Sequence, residues 1–518
     1  MKNKPFKAVV FLQILLLVLA GNGIHFAKAA SHSDTATYAA IDDYVKERMQ
    51  TLKIPGAALA IVKGDQIECL QGYGIADPTG RAVTPQTPFM LASVSKSFTA
   101  LAIMQLAEEG KLDLDAPVQK YLTWFQIADK EASAEITVRQ LLNQTSGFSE
   151  TDGNKMNLVS STADDALIAS MKQLDSTQLI NIPGTAFEYS NINYGLLGTI
   201  VETVSGQSYE TYIQQNIFTP LDMKHSFTSL SDAKSNGASS GFYPFFGTPI
   251  VYDNLMSYSR AMTSWAGLFS SAEDMGHYMI AHQNEGKYGE NSLLSPKGIA
   301  ELHNSGIKID KWSGYAMGWS VGPDFDIAYH DQTSYTAPIA LSHEGSWANF
   351  RSIVMMVPQK KIGVVLLMNT NDPAIESVFG SVGWDVLSMY LGNQPSYYPP
   401  SEDYIRQHAR VIFVVINILL LASFIRFLRK LKGWRRRPMA STPHWRKLFG
   451  YVVVPIAIDL LLAWFLLAKE LPQAKSTVMG TLRGAPDIGL LIVLVLLFTI
   501  GWGTIRILLM LRAIFRKA

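Results

Sequence analysis

Three apolar stretches close this chain, about Val411 to Phe427, Leu448 to Ala468 and Ile488 to Met510. Each is near the length that spans a bilayer, so any globular domain has to be built from the residues before them. The loop joining the first two carries Arg429, Lys430, Lys432, Arg435, Arg436, Arg437, Arg446 and Lys447, whereas the next loop holds only Lys469, Lys475 and Arg483. The excess of basic residues assigns the first loop, and the Arg512, Arg516, Lys517 end, to the cytoplasm. The first span then runs from outside to inside. At the other end, Lys2, Lys4 and Lys7 precede the apolar run Ala8 to Ala20, and Ala27-Lys28-Ala29 supplies small residues for cleavage, which predicts a signal peptide over residues 1–29. Both ends therefore predict one topology: a multi-pass protein of the cell membrane whose residues 31–395 lie on the extracytoplasmic side. Pro395-Ser-Tyr-Tyr-Pro-Pro400 opens a stiff linker over 396–410, and 411–518 is the membrane domain, in contact with the lipid bilayer. Asp459 is an acid within an apolar span, for which the expected role is packing, with Asn417 as partner, or transport and sensing.

The exported part, about 365 residues, is long enough to bury a large core. A formal net charge of +1, with no basic face outside the membrane loops, argues against a nucleic-acid partner. The single cysteine, Cys69, excludes an internal disulfide and a Cys/His zinc cluster, so no metal and no cofactor is expected. Near the start, Ala57 to Val62 and Gln66 to Tyr73 flank Lys63-Gly64-Asp65; near the end, Ser352 to Val357 and Ile362 to Met368 flank Pro358 to Lys361. Both patterns are strand, turn, strand. The residues between read mostly as helix, including Phe98 to Leu106, Thr137 to Leu142 and Tyr194 to Val204, broken by Gly/Ser/Asn-rich loops. The prediction is an α+β fold: one antiparallel sheet built from both ends of the domain and covered by helices.

Three short motifs carry the chemistry. Ser93-Val94-Ser95-Lys96 places a hydroxyl one helical turn from an amine at the head of an apolar helix, where residues three apart share a face. If burial keeps the amine neutral it can take the serine's proton. The pattern alone is weak, expected by chance roughly twice in such a chain, and Ser305-Gly306-Ile307-Lys308 is a decoy without an apolar helix behind it. Tyr189-Ser190-Asn191 leads through Asn193-Tyr194-Gly195 into a second apolar helix, whereas the similar Tyr252-Asp253-Asn254 lies in a loop-like region. A phenol can pass protons to a leaving group and an amide can hold a carbonyl. His343-Glu344-Gly345-Ser346 supplies a glycine that permits close approach of a substrate to the backbone, an amide at Ser346 facing a developing oxyanion, and an imidazole in reach of the substrate.

In this order the motifs resemble the serine β-lactamase-like superfamily, in its class C β-lactamase and low-molecular-weight penicillin-binding protein branch. The resemblance covers about residues 38 to 392 and extends to Glu109 to Val118, Ile136 to Leu142, Thr145-Ser146-Gly147 and Tyr315-Ala-Met-Gly-Trp319. It implies a β-lactamase-like sheet flanked by helices, with an all-helical subdomain. It further implies that Ser93 is the acylated nucleophile, Lys96 its base partner and Tyr189 the proton donor to the leaving group. Asn191, His343, Gly345 and Ser346 would bind substrate, and the amides of Ser93 and Ser346 would form the oxyanion hole. Two positions depart from the pattern. Gln144 stands where the family has histidine, with an expected effect on loop packing; His343 stands where true β-lactamases have a cationic lysine, which weakens recognition of a substrate carboxylate. An exported serine domain followed by three spans is also similar to the membrane-bound peptidases that mature peptide prodrugs. The expected substrate is a peptide or other small-molecule amide, with a D-residue. The competing readings are an esterase or weak β-lactamase using the same serine, and a non-catalytic protein that binds peptidoglycan or an antibiotic. Oligomeric state is not legible.

Overall fold

In a computed structural model, the structure describes residues 36–158, 161–253, 258–304, 306–311, 313–323, 339–372, 376–395 and 478–497, with scattered positions of 411–464 and 501–508. The expected signal peptide and linker and Asp459 lie outside the described residues, as do most positions of the three expected spans. Among the described residues no helix is long and apolar enough to cross a membrane. The amide of Asn417, offered above as a partner for Asp459, donates to the Phe413 carbonyl at 2.7 Å.

Eight strands form the central sheet: β1 (Gly56–Lys63), β2 (Gln66–Gly74), β3 (Ile307–Lys308), β4 (Gly314–Ala316), β5 (Trp319–Pro323), β6 (Ile339–Trp347), β7 (Phe350–Val357) and β8 (Ile362–Met368). Their order across the sheet is β2-β1-β8-β7-β6-β5-β4-β3, antiparallel throughout. The two ends of the domain meet where β1 pairs with β8, Ala57 facing Met368 and Lys63 facing Ile362.

Alternation of side chains along each strand divides the core into two layers. Ala58, Ala60 and Val62 of β1, Val354 and Met356 of β7, and Val365 and Leu367 of β8 point to one face. Ala57, Leu59 and Ile61, Ile353 and Met355, and Val364 and Leu366 point to the other. The second face is covered by α1 (Ala36–Leu52) and by a C-terminal helix, Glu376–Tyr390, through Ile41, Val45, Phe379 and Val386. Helix α2 (Ser95–Glu108) lies on the first face. It is apolar almost all round, which fits only a helix enclosed on all sides, and every residue from Ser95 to Gln105 is buried. It stops where Gly110 takes φ +72°. Among the described residues, the elements from 109 to 235 are helices and turns, so the helical subdomain that the resemblance implied is present. Its helix Val138–Leu142 starts at a capping box, Thr137 Oγ1 accepting the Gln140 N–H at 3.2 Å while Gln140 Oε1 accepts the Thr137 N–H at 3.0 Å. Helix α3 (Asn191–Ser205) ends on left-handed Gly206.

Candidate active site

Ser93 sits in a single 3₁₀ turn, Ala92–Val94, that feeds directly into α2. Ala92 adopts φ +46°, a left-handed conformation uncommon for alanine. Such strain persists only where the surroundings fix it, and functional sites collect it. Here the Leu91 N–H is tied to the Leu268 carbonyl at 2.8 Å and the Leu91 carbonyl accepts the Val94 N–H at 3.2 Å. Ser93 keeps partial exposure while its neighbours are buried.

Lys96 is fully buried, and Nζ lies 3.0 Å from Ser93 Oγ, 2.8 Å from Asn191 Oδ1 and 3.0 Å from the Trp265 carbonyl oxygen. Burial drives its pKa well below the ordinary lysine value, because nothing in the low-dielectric interior replaces the hydration of an ammonium. A neutral amine has two N–H groups and one lone pair. The two carbonyl-type oxygens can only accept, so they take both hydrogens, and the lone pair is left facing the Ser93 hydroxyl. This is the geometry of a general base acting on a nucleophile.

Tyr189 places its ring 4.8 Å from Nζ, measured to the ring centroid, and is half-buried at the site's edge. Asn191 begins α3, with its amide nitrogen 3.3 Å from Asn157 Oδ1; Trp265 Nε1 donates to that same oxygen at 3.1 Å. An acceptor on the far side forces the Asn191 nitrogen away from Lys96 and its oxygen toward it. Gln144, itself at φ +59°, accepts the Ser190 N–H on Oε1 at 3.0 Å and also accepts a hydrogen bond from Asn193 Nδ2. Its side chain therefore reaches the Tyr189-Ser190-Asn191 turn itself, beyond the effect on loop packing expected from the sequence.

His343 lies on β6 and is buried. Nδ1 is 2.9 Å from the Glu344 carbonyl oxygen, which can only accept, so the ring hydrogen is on Nδ1 and Nε2 is a bare acceptor. Nε2 lies 3.4 Å from the Tyr315 hydroxyl. Burial, with lesser contributions from the neighbouring Lys96 and Arg351, pushes the imidazole pKa down to about 3. His343 is thus neutral at physiological pH. At Gly345 the direction a Cβ would take meets the Leu91 carbonyl oxygen at 2.0 Å and Ser352 Oγ at 2.1 Å. The close approach this glycine permits is between β6 and the backbone two residues before the nucleophile. Ser346, one residue on, is partly exposed, and its Oγ accepts from Asn371 Nδ2 at 2.9 Å.

The structure thus gathers Ser93, Lys96, Tyr189, Asn191 and His343 around one point. Of the decoys, Tyr252 is buried away from it, and Ile307–Lys308 form an edge strand. Sequence reasoning missed Asn157, Trp265 and Asn371. The Trp265 contact is made by a backbone carbonyl, which leaves no residue-type signal at all. Elsewhere, His225, Glu273 and Asp274 bring potential ligand atoms within 4.8 Å of one another. Asp274 there accepts the His225 N–H and the Ser226 hydroxyl, both at 2.7 Å, as a turn cap does.

A strand-bounded fold with a serine at the head of a buried helix, beside it a lysine whose pKa burial lowers, and a tyrosine across from it defines a serine hydrolase of the acyl-transfer type. The Beta-lactamase family matches residues 41–378, and the chain belongs to it. Protein flp of Staphylococcus aureus is 28% identical over 408 residues, covering 77% of this chain and 75% of that protein. Penicillin-binding protein 4 of Amycolatopsis lactamdurans is 29% identical over 370 residues, covering 69% and 93%. Among solved structures, the octameric penicillin-binding protein homologue from Pyrococcus abyssi superposes with a TM-score of 0.58 at 26% identity, covering 70% of this chain and 79% of its own. A class C beta-lactamase shares the fold with a TM-score of 0.57 at 22% identity, covering 69% of this chain and 98% of its own.

Proposed function

We propose that the protein is a membrane-anchored, extracytoplasmic serine hydrolase that cleaves an amide bond, in a peptide carrying a D-residue, through an acyl-serine on Ser93. The observation that carries this reading is the buried amine of Lys96, 3.0 Å from Ser93 Oγ and held on its other sides by Asn191 Oδ1 and the Trp265 carbonyl at 2.8 and 3.0 Å. In the acylation step the Ser93 proton passes to Nζ as Oγ attacks the carbonyl carbon. The carbonyl π electrons move to oxygen, which the N–H groups of Ser93 and Ser346 stabilise. The C–N bond then breaks, and the leaving nitrogen takes a proton through Tyr189. Water, giving up its proton by the reverse relay, attacks the ester and returns the hydrogen to Ser93. Stabilisation of the oxyanion by such donors is worth about 3–4 kcal/mol per donor in comparable sites.

His343 narrows the substrate. A neutral imidazole gives a substrate carboxylate no cationic partner and favours an uncharged group at that position. That same property supports the second reading, an esterase acting at the same serine. The name of Penicillin-binding protein 4 from Amycolatopsis lactamdurans supports an amide of the cell-wall or β-lactam kind.

The test is to treat the purified full-length protein with a fluorescent penicillin and, separately, a fluorophosphonate, comparing wild type with Ser93→Ala. Labelling of wild type by both, lost in Ser93→Ala, is the expected result. Labelling by the fluorophosphonate alone selects the esterase or a narrow peptidase, and labelling by neither overturns acyl-enzyme catalysis in favour of a binding protein.

A further inference from the structure

Far from the nucleophile in sequence, residues 478–496 fold as two short helices, α4 (Val478–Gly484) and α5 (Pro486–Leu496). Asp487, in the first turn of α5, is 1% exposed. Its Oδ1 accepts from the Tyr243 hydroxyl at 2.7 Å and Oδ2 from the Phe246 N–H at 3.0 Å. Both donors belong to one aromatic hairpin of the catalytic domain, Phe242–Phe245 paired with Thr248–Val251. Beside it, the Tyr252 hydroxyl donates to the Arg483 carbonyl at 2.9 Å.

The hairpin in turn abuts the end of β6. The rings of Tyr243 and Tyr252 lie 5.4 Å apart and pack on Ala348, in the turn two residues beyond Ser346. At the hairpin's base the Gly241 N–H and Asn349 Nδ2 both reach Asp253 Oδ1, at 2.6 and 3.4 Å. Asn371 holds Ser346 Oγ and the Trp347 carbonyl at 2.9 and 3.0 Å. At the hairpin's tip, Phe246 and Gly247 both have positive φ, +45° and +73°. That turn matches the twist of the strands, but it strains a phenylalanine, and strain of this kind lasts only when the surroundings hold it. Asp487 does so from the N–H of Phe246, and Phe413 from its ring at 4.4 Å.

We propose that Asp487 is a positioning residue: with α4 and α5 it clamps the aromatic hairpin against the β6–β7 turn and so fixes the Ser346 end of the acyl-transfer site. A flexible tether would hold the domain at a membrane with no buried carboxylate; a carboxylate with both oxygens taken by one hairpin specifies an orientation. The inference rests on the acyl-serine reading above.

The experiment uses the full-length chain in detergent micelles and measures the rate constant of Ser93 labelling by fluorophosphonate, its pH profile and the melting temperature. The variants are Asp487→Ala, Asp487→Asn and Tyr243→Phe, the last keeping the ring on Ala348. Expected are an approximately tenfold slower acylation in Asp487→Ala, an intermediate rate in Asp487→Asn and a threefold loss in Tyr243→Phe. The pH midpoint, which reports Lys96, stays at its wild-type value in every variant, while the melting temperature falls in Asp487→Ala, where two buried donors lose their acceptor, and less in Tyr243→Phe, so rates are compared well below the lowest melting temperature. Wild-type rates in Asp487→Ala overturn the clamp. So does a slower rate accompanied by a displaced midpoint, since the loss then belongs to Lys96. A wild-type protein that does not label overturns the acyl-serine reading, an outcome distinct from labelling that is indifferent to Asp487.

Discussion

At Lys96 one side chain sets the pH at which the site works. Its ammonium is disfavoured by complete burial, so the proton it would hold in water is released well below the ordinary lysine value. Only the neutral amine can accept from Ser93. Acylation is therefore expected to be flat at high pH and to fall as pH drops through the lowered lysine pKa; a midpoint at the value of an exposed lysine in stopped-flow labelling would refute the general-base role. His343, already neutral with its pKa near 3, adds no limb across the neutral range. Removing the amine in Lys96→Ala is expected to slow acylation by about 10²–10⁴-fold, the range for loss of a positioned base. Gln144 acts one step back. Gln144→Ala orphans the buried Ser190 N–H and releases Asn193, a stability loss of about 1–3 kcal/mol. Because it also frees the turn carrying Tyr189 and Asn191, kcat is expected to fall more than KM changes, read from steady-state kinetics beside thermal melts.

At the scale of elements, β6 and the 3₁₀ turn before α2 are built to touch, and Gly345 is where they do. A methyl group there would stand 2.0 Å from the Leu91 oxygen and 2.1 Å from Ser352 Oγ, well inside contact distance, so the strand or the turn has to move. Gly345→Ala is expected to destabilise the domain by about 1–3 kcal/mol, as overpacking does, and to slow Ser93 labelling by a larger factor than the melting temperature alone accounts for; an unchanged labelling rate would count against the registration of these two elements. The sequence made the outer architecture readable for a physical reason. β1 and β8 are continuous apolar runs covered on both faces, β2 pairs with β1 and β7 with β8 across short turns, and α2 is apolar all round. Strands β3, β4 and β5 are short, two to five residues, and carry serine, lysine or glycine, so their pattern does not rise above that of loops. Within the site, Ser93, Lys96 and Asn191 were legible because side chains do the work there. The hydrogen-bond partners that make Lys96 a base were partly illegible, because Trp265 contributes a carbonyl that any residue has. Gly345 was legible as a glycine, but its neighbour is Leu91, far away in the sequence and brought to it only when the fold lays β6 against the turn.

For the whole molecule, the charge pattern and the contacts of Asp487 lead to one arrangement by separate routes. On the proposed topology, with the basic loop 429–447 on the cytoplasmic side, the second span would run outward and the loop before the third, which contains Lys475, Arg483 and Asp487, would lie on the outer side. The hydrogen bonds from Tyr243 and Phe246 to Asp487 require that this loop share a side with the catalytic domain, which supports the same topology. The expectation can be read in intact cells. In a Cys69→Ser background, a cysteine placed at Ser476 should react with a membrane-impermeant maleimide, whereas one at Ser441 should react only after permeabilisation, and an impermeant fluorescent penicillin or fluorophosphonate should label Ser93 without it. Reaction at Ser441 from outside, with Ser476 and Ser93 protected, would invert the topology and remove the extracytoplasmic assignment. Reaction at Ser441 and Ser476 alike would leave the tail on one side of the bilayer, so that the spans, and with them the membrane anchor, would be lost from the account while the chemistry of Ser93 stood.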